Sequence, residues 1–203
     1  MILSNSDHPE SSACPFDARR RGGVTSEGAG IFVLETLASA LSRGAEPLAE
    51  IVGMGSFSDP FGHPPASGLV YSMQDALDDA GFIPDDIDYI NAHGPGDPTV
   101  DISETNCIKK VFGNKAYQIP VSSIKGVIGN PLAAAGGIQL AASVMALCEG
   151  LIPPTAHYEV TDPDCDLNYV PNYPLRAPLR NALINLHGIG GGNISLIIKK
   201  IER

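Results

Sequence analysis

The sequence lacks any CxxC or CxxH pair. Its four cysteines, Cys14, Cys107, Cys148 and Cys165, lie far apart. That spacing argues against a zinc site, and free thiols fit a reducing, cytoplasmic location. No apolar run approaches the roughly 20 residues that span a bilayer. Met1 to Glu10 is polar after Leu3, unlike a signal peptide. Positive charge is also scarce: 13 basic residues face 23 acidic ones, a formal net charge of -10. A nucleic-acid backbone would be repelled unless a basic face formed locally. The basic clusters are small (Arg19-Arg20-Arg21, Lys109-Lys110 with Lys115, Lys199-Lys200) and read first as solvated surface. A docking patch for an acidic carrier protein is the second reading.

What is present is a globular chain of 203 residues, 43% hydrophobic, with 22 glycines and 17 prolines. That length gives a real core. Residues 1–22 read as an irregular N-terminal segment and 23–203 as one domain. Residues 30–35 form an apolar run of strand length, expected to be buried on both faces. A short helix follows over 36–43, then a strand over 49–57 with glycines at a bend. Apolar residues at helical spacing predict a helix over 67–80, ended by Gly81. A strand over 87–92 runs into a glycine loop. A helix over 101–112 and a short strand over 119–121 come next. Residues 132–148 form a helix of small side chains, able to lie close against another backbone in a layered interior. After a proline-rich excursion, strands over 181–186 and 194–201 are expected to pair antiparallel. Alternating strands and helices predict an α/β layer protein with a mixed sheet.

Three glycine-flanked turns carry chemistry-bearing residues. His93, in Asn91-Ala92-His93-Gly94-Pro95-Gly96, follows a strand. It is expected to be exposed enough to move protons, although a histidine bonded to its own loop fits the spacing better. Lys125 lies in the apolar segment from Ser122 to Asn130 and needs an anion or a ring of acceptors if buried. Asn130-Pro131 reads as a helix cap. The third turn, His187-Gly188-Ile189-Gly190-Gly191-Gly192-Asn193, allows close backbone approach or an oxyanion-binding pair of N–H groups. A plain hairpin turn explains it equally.

In combination the motifs resemble the C-terminal half of the β-ketoacyl-carrier-protein synthases, condensing enzymes of the thiolase superfamily. Cys14 to Gly22 resembles PFDxxRDG, and Ser26 to Gly30 resembles GEGAG. Asn91 to Glu104 is similar to NxHGTGTxxxDxxE, Ser122 to Gly136 to SSxKxxxGHxxGAAG, and Gly188 to Asn193 to GFGGTN. The resemblance implies a thiolase-like fold. This chain would be the C-terminal βαβαβαββ half of a layered αβαβα sandwich. It implies His93, Lys125 and Asn130 as catalytic residues, with Asn130 where the family usually has a second histidine. Ile189 would be the gate, with Ile189 and Gly190 on the oxyanion side. Pro95 and Asp97 stand in place of two threonines on the pantetheine side. Asp101 and Glu104 would be structural or cation-side acids, with no metal site expected. Gln139 replaces a glutamate, so Lys125 is expected to lack its usual partner.

No cysteine here matches the family's nucleophile, which belongs to the other half of the fold. The implied function is decarboxylative Claisen condensation in fatty acid or polyketide synthesis. A complementing N-terminal ketosynthase half would supply the cysteine. The substrates would ride on the phosphopantetheine of an acyl carrier protein, with no other cofactor. The alternative is a non-catalytic subunit resembling a chain-length factor, shaping the acyl tunnel of a partner synthase. Either way the chain is expected to be part of a hetero- or homo-oligomer, because half a sandwich leaves apolar surface uncovered.

Overall fold

The structure, a computed structural model, describes residues 3–4 and 12–201. A five-stranded sheet lies between helices on its two faces. Its strands are β1 (Ala49–Ser58), β2 (Tyr89–Asn91), β3 (Val121–Ser122), β6 (Asn181–His187) and β7 (Gly192–Lys200). A separate two-stranded ribbon pairs β4 (Leu151–Ile152) with β5 (Leu175–Arg176). The large sheet runs β1-β7-β6-β2-β3. β1 with β7 and β7 with β6 are antiparallel, whereas β6 with β2 and β2 with β3 are parallel. The sheet is therefore mixed, and the last two strands form the expected hairpin.

The helices are α1 (Leu37–Ser42), α2 (Leu69–Ala80), α3 (Pro98–Phe112), α4 (Lys125–Ile128) and α5 (Ala135–Glu149). With the β4–β5 ribbon, α1 and the one-turn α4 set aside, the order is β1-α2-β2-α3-β3-α5-β6-β7, the βαβαβαββ pattern expected. Met73, Leu77, Ile108 and Phe112 of α2 and α3 share one core with Ile90, Leu183 and Ile197. Ala146 and Leu147 of α5 share the other with Tyr89, Ile184 and Ile198. Neighbouring side chains on a strand point to opposite faces, so Tyr89 and Ile90 go to different cores.

Gly53 and Gly55 have a packing role beyond bending β1. A Cβ on either would lie 2.2 Å from the Ala76 carbonyl oxygen or 2.0 Å from that of Ser72. Their bareness lets α2 lie directly on β1. The bend is real too: the β1–β7 register shifts between Ile51 and Gly53.

Residues 30–35 depart from expectation. They form no strand, and Ile31 is 93% exposed, with Val33 and Leu34 also open. The run is apolar enough for a buried strand, but no described strand pairs with it. It touches the domain at Gly30, whose Cα lies against Gly137 of α5. A Cβ on Gly30 would be 2.8 Å from the Gly137 backbone. The close approach expected of the small-residue helix is made here.

The described part of the N-terminal segment is irregular but not peripheral. Phe16 is wholly buried, stacked on Tyr169 at 4.1 Å. Arg20, expected on a solvated surface, is buried. Its guanidinium donates to Asp162 at 2.6 Å and to the Asp17 carbonyl at 2.9 Å, and lies 3.5 Å from Asp101. Arg19 binds Asp17 at 2.8 Å. Burial opposes ionisation of Asp17. Arg19 and the N–H groups of Val160 and Glu159 nonetheless draw its pKa down to about 2.

The stretch Leu132–Glu149 is long and apolar enough to cross a membrane by length and composition, contrary to the sequence expectation. Its inner face argues for packing on the sheet. Gln139 and Ser143 are buried there and hydrogen-bond Asn91 of β2.

Candidate functional site

His93 follows directly from β2 through Ala92. Its loop is held from behind by α3: Glu104 accepts the N–H of His93 on one carboxylate oxygen and that of Gly94 on the other, both at 2.8 Å. Asn185 of β6 donates to the same carboxylate at 3.2 Å. Burial raises the Glu104 pKa and these donors oppose it. Asp101, one turn earlier on α3, accepts the N–H of Phe16 at 2.8 Å and of Gly96 at 3.2 Å. It joins the PFD segment to the histidine loop. Burial pushes its pKa up to about 7 against those donors and Arg20.

Lys125 enters from the segment after β3. It is buried, and its ammonium donates to the carbonyl oxygen of His93 and, at 2.9 Å, to Oε1 of Gln139. The expectation of a lost partner is thus corrected. The Gln139 amide supplies the acceptor, and its Nε2 donates to Asn91 Oδ1, the Ala92 carbonyl and the Asn185 carbonyl. Burial lowers the Lys125 pKa to about 8, with Glu104 and Asp101 opposing. A cluster with two acids, one ammonium and an amide beneath the histidine loop fixes that loop by charge-assisted hydrogen bonds.

In front of the loop lies a cavity of about 560 Å³. His93, Asn130 and Ile189 line it together, as do Pro95 and His187. Three turns from distant parts of the sequence thus meet at one space. Lys125, Asp97 and Gly190 do not line it. Lys125 lies behind the loop. Asp97 is buried and caps α3, accepting from Thr99 N–H at 3.0 Å. Asp101 and Glu104 lie behind the loop on backbone N–H groups. Among the described residues, no group of three or more His, Cys, Asp or Glu side chains is placed to hold a metal ion.

His93 is buried in the cavity wall, not exposed as expected. Burial carries its pKa well below 6.5, reinforced by Lys125 and His187, so the ring is neutral at physiological pH. Its Nδ1 is buried without a hydrogen-bond partner among the described residues, unlike a histidine tied to its own loop. Asn130 is fixed through its backbone: its N–H donates to Val24 O at 2.7 Å, and its carbonyl accepts from Ser26 at 3.1 Å. Its Oδ1 accepts the Leu132 N–H at 3.2 Å, so it caps the turn that leads into α5. Ile189 stands at the hairpin tip, 74% exposed. None of the cysteines lines the cavity. Burial pushes the thiols of Cys14, Cys107 and Cys165 up to about 11.

Sequence reasoning missed His187. It donates from Nδ1 to Asn193 Oδ1 at 3.0 Å, lies 3.7 Å from Asp59, and meets His93 edge to face at 5.8 Å between ring centres. The available signal was its place opposite Asn193, six residues on across a glycine turn.

Residues 48–159 match the family described as beta-ketoacyl synthase, C-terminal domain. Nodulation protein E of Rhizobium meliloti is 44% identical over 92% of this chain and 47% of its own length. The 3-oxoacyl-[acyl-carrier-protein] synthase 2 of Synechocystis is 43% identical over 97% of this chain and 48% of its own. The chain spans about half the length of the curated relatives it matches. Among solved structures, a type II PKS acyl-carrier protein in complex with its ketosynthase matches with TM-score 0.94. Identity there is 33%, covering 99% of this chain and 51% of that one. A beta-ketoacyl synthase from Burkholderia phymatum matches with TM-score 0.90 and 32% identity, covering 99% and 50%. The fold is thiolase-like, and this chain belongs to the beta-ketoacyl synthase family, whose C-terminal domain it carries.

Proposed function

We propose that the chain forms the C-terminal half of a condensing enzyme. It works with an N-terminal half outside this chain that carries the nucleophilic cysteine. The observation that supports this most directly is the convergence of His93, Asn130 and the Ile189 turn on one cavity. An acyl group is carried as a thioester on the partner's cysteine. A malonyl unit, delivered on the phosphopantetheine of an acyl carrier protein, enters the cavity. Its C–C bond to the carboxylate breaks, CO2 leaves, and the electron pair becomes an enolate. The Asn130 amide and the neutral His93 ring donate hydrogen bonds where negative charge grows on the thioester oxygen. The enolate carbon then attacks the acyl carbonyl, the cysteine thiolate leaves, and the chain is two carbons longer. Lys125 acts behind the loop, holding the His93 carbonyl in position. That the solved relative with TM-score 0.94 is a ketosynthase with its acyl-carrier protein supports the carrier as partner.

One observation favours the second reading, a non-catalytic subunit beside an active synthase. Pro95 has no hydroxyl, and Asp97 is buried as a helix cap, so neither offers a hydroxyl to a pantetheine arm. The test is reconstitution with the N-terminal half and a malonyl-carrier substrate. Carbon–carbon bond formation that His93→Ala abolishes supports the condensing reading. Undiminished condensation by the variant overturns it.

A further inference from the structure

Gln139 reaches from α5 to the place where two strands part. β2 and β6 pair from Tyr89 with Ala182 to Asn91 with Ile184, and the pairing ends there. Beyond it Ala92 leads to His93, and Asn185 leads to the 188–192 turn. Two sides of the cavity thus diverge from one point. Gln139 is wholly buried at that point. Its Nε2 lies 3.0 Å from Ala92 O, 3.2 Å from Asn185 O, 3.1 Å from Asn91 Oδ1 and 3.4 Å from Asn91 O.

The neighbours fix the orientation of this amide. The Lys125 ammonium can only donate, so the atom it meets at 2.9 Å is Oε1, and the nitrogen faces the four oxygens. Asn91 is set in the same way. Its Nδ2 donates to Ser143 Oγ at 2.9 Å and to the Gln139 carbonyl at 3.3 Å, which leaves Oδ1 toward Gln139 Nε2. A primary amide carries two protons, so four oxygens around one nitrogen exceed what two hydrogen bonds need. Convergent carbonyl and amide oxygens are the donor set that a hard cation collects. From the α3 side Glu104 makes a matching tie. It accepts the N–H groups of His93 and Gly94 and the side-chain amide of Asn185.

We propose that Gln139 is a positioning residue that stands in for an alkali cation: its Nε2 protons draw the Ala92 and Asn185 carbonyls together and set the span between His93 and the 188–192 turn. The protons are covalently attached, so the tie holds whatever the salt. Gln139→Glu turns the donor into a further oxygen facing four others. That nest then needs an alkali cation to hold it together. The effect on rate rests on the condensing-enzyme reading, whereas the tie itself does not.

The test uses the chain assembled with its complementing half. The medium is mixed sodium and potassium chloride, or choline chloride of equal ionic strength, whose cation is too bulky for a buried nest. In the unaltered protein, amide exchange at His93 and Gly94 and CO2 release from malonyl-pantetheine are the same in both media. Gln139→Glu in choline exchanges both amides faster, and its kcat falls about a hundredfold while KM holds. Sodium and potassium restore the slow exchange and most of the rate. An equal loss in both media, or no loss in choline, overturns the proposal. So does an alkali-cation requirement in the unaltered protein. Should Gln139→Glu fail to fold in either medium, the side-chain NH2 resonances of Gln139 in the unaltered protein decide. They exchange slowly with solvent and stay in place when choline replaces the alkali cations; fast exchange or a shift overturns the proposal. Salt-dependent exchange in Gln139→Glu without CO2 release from either protein supports the tie and defeats the condensing reading alone.

Discussion

The two carboxylate oxygens of Glu104 receive the backbone N–H groups of His93 and Gly94 at the same distance, 2.8 Å. The carboxylate thus sets where the histidine loop leaves β2. Glu104→Gln puts an NH2 group against one of these two donors. The expected cost is about 2 kcal/mol, the penalty for a buried donor left unpaired. Urea denaturation measures it, and faster amide exchange at His93 and Gly94 accompanies it. Unchanged exchange at both amides would refute the positioning role.

Lys125 depends on Gln139 in the same way. Gln139→Leu removes one acceptor from a buried ammonium and leaves the Ala92 and Asn185 carbonyls without their donor. A loss of about 3 kcal/mol or more is expected. Gln139→Met with Lys125→Met removes both groups and is expected to cost less than the single change. A double variant at least as unstable as Gln139→Leu would count against this account.

Asp101 predicts a pH dependence. Its pKa is about 7 in the folded chain and 3.8 in the ordinary case. The folded state holds more protons between those values. This contribution is complete below about pH 4 and is lost as pH rises through 7. Asp101→Asn flattens that part of the curve, although it also weakens the hold on Phe16 and Gly96. The difference between stability at pH 5 and at pH 8, measured by urea midpoint, shrinks in the variant. An equal difference in both proteins would exclude Asp101 as the source.

Ile189 stands in solvent at the hairpin tip, so Ile189→Ala changes stability by less than about 0.5 kcal/mol. A melting curve checks this. A large loss would mean that Ile189 packs against something in solution.

The apolar run at Ile31, Val33 and Leu34 predicts association. The chain alone binds a hydrophobic dye and self-associates or pairs with a second polypeptide. Ile31→Ser with Val33→Ser reduces both signals. Sedimentation of the unaltered chain as a clean, dye-silent monomer would disprove the expectation.

Much of the fold was legible because period and punctuation are local. The apolar spacing from Leu69 to Ala80 and the glycine after it gave α2. The strands around the 188–192 turn gave the hairpin. The run from Gly30 to Glu35 misled because a strand needs a neighbour, and none in the described chain pairs with it. Arg20 misled because charge predicts exposure until Asp17, Asp101 and Asp162 surround it. His187 was passed over because its importance lies across the turn and across the cavity, in Asn193, Asp59 and His93.

By itself the sequence determined the order of the main-sheet strands and their helices from β1 onward, the family pattern and the residue types available at the three turns. All of these are written in spacing along one chain. Only the tertiary structure decided that His93 lies in a cavity wall instead of on a surface, that Gln139 answers Lys125, and that a second imidazole shares the space. These depend on distances between residues far apart in sequence, set when β2, β6 and α5 pack and exclude water from the groups between them.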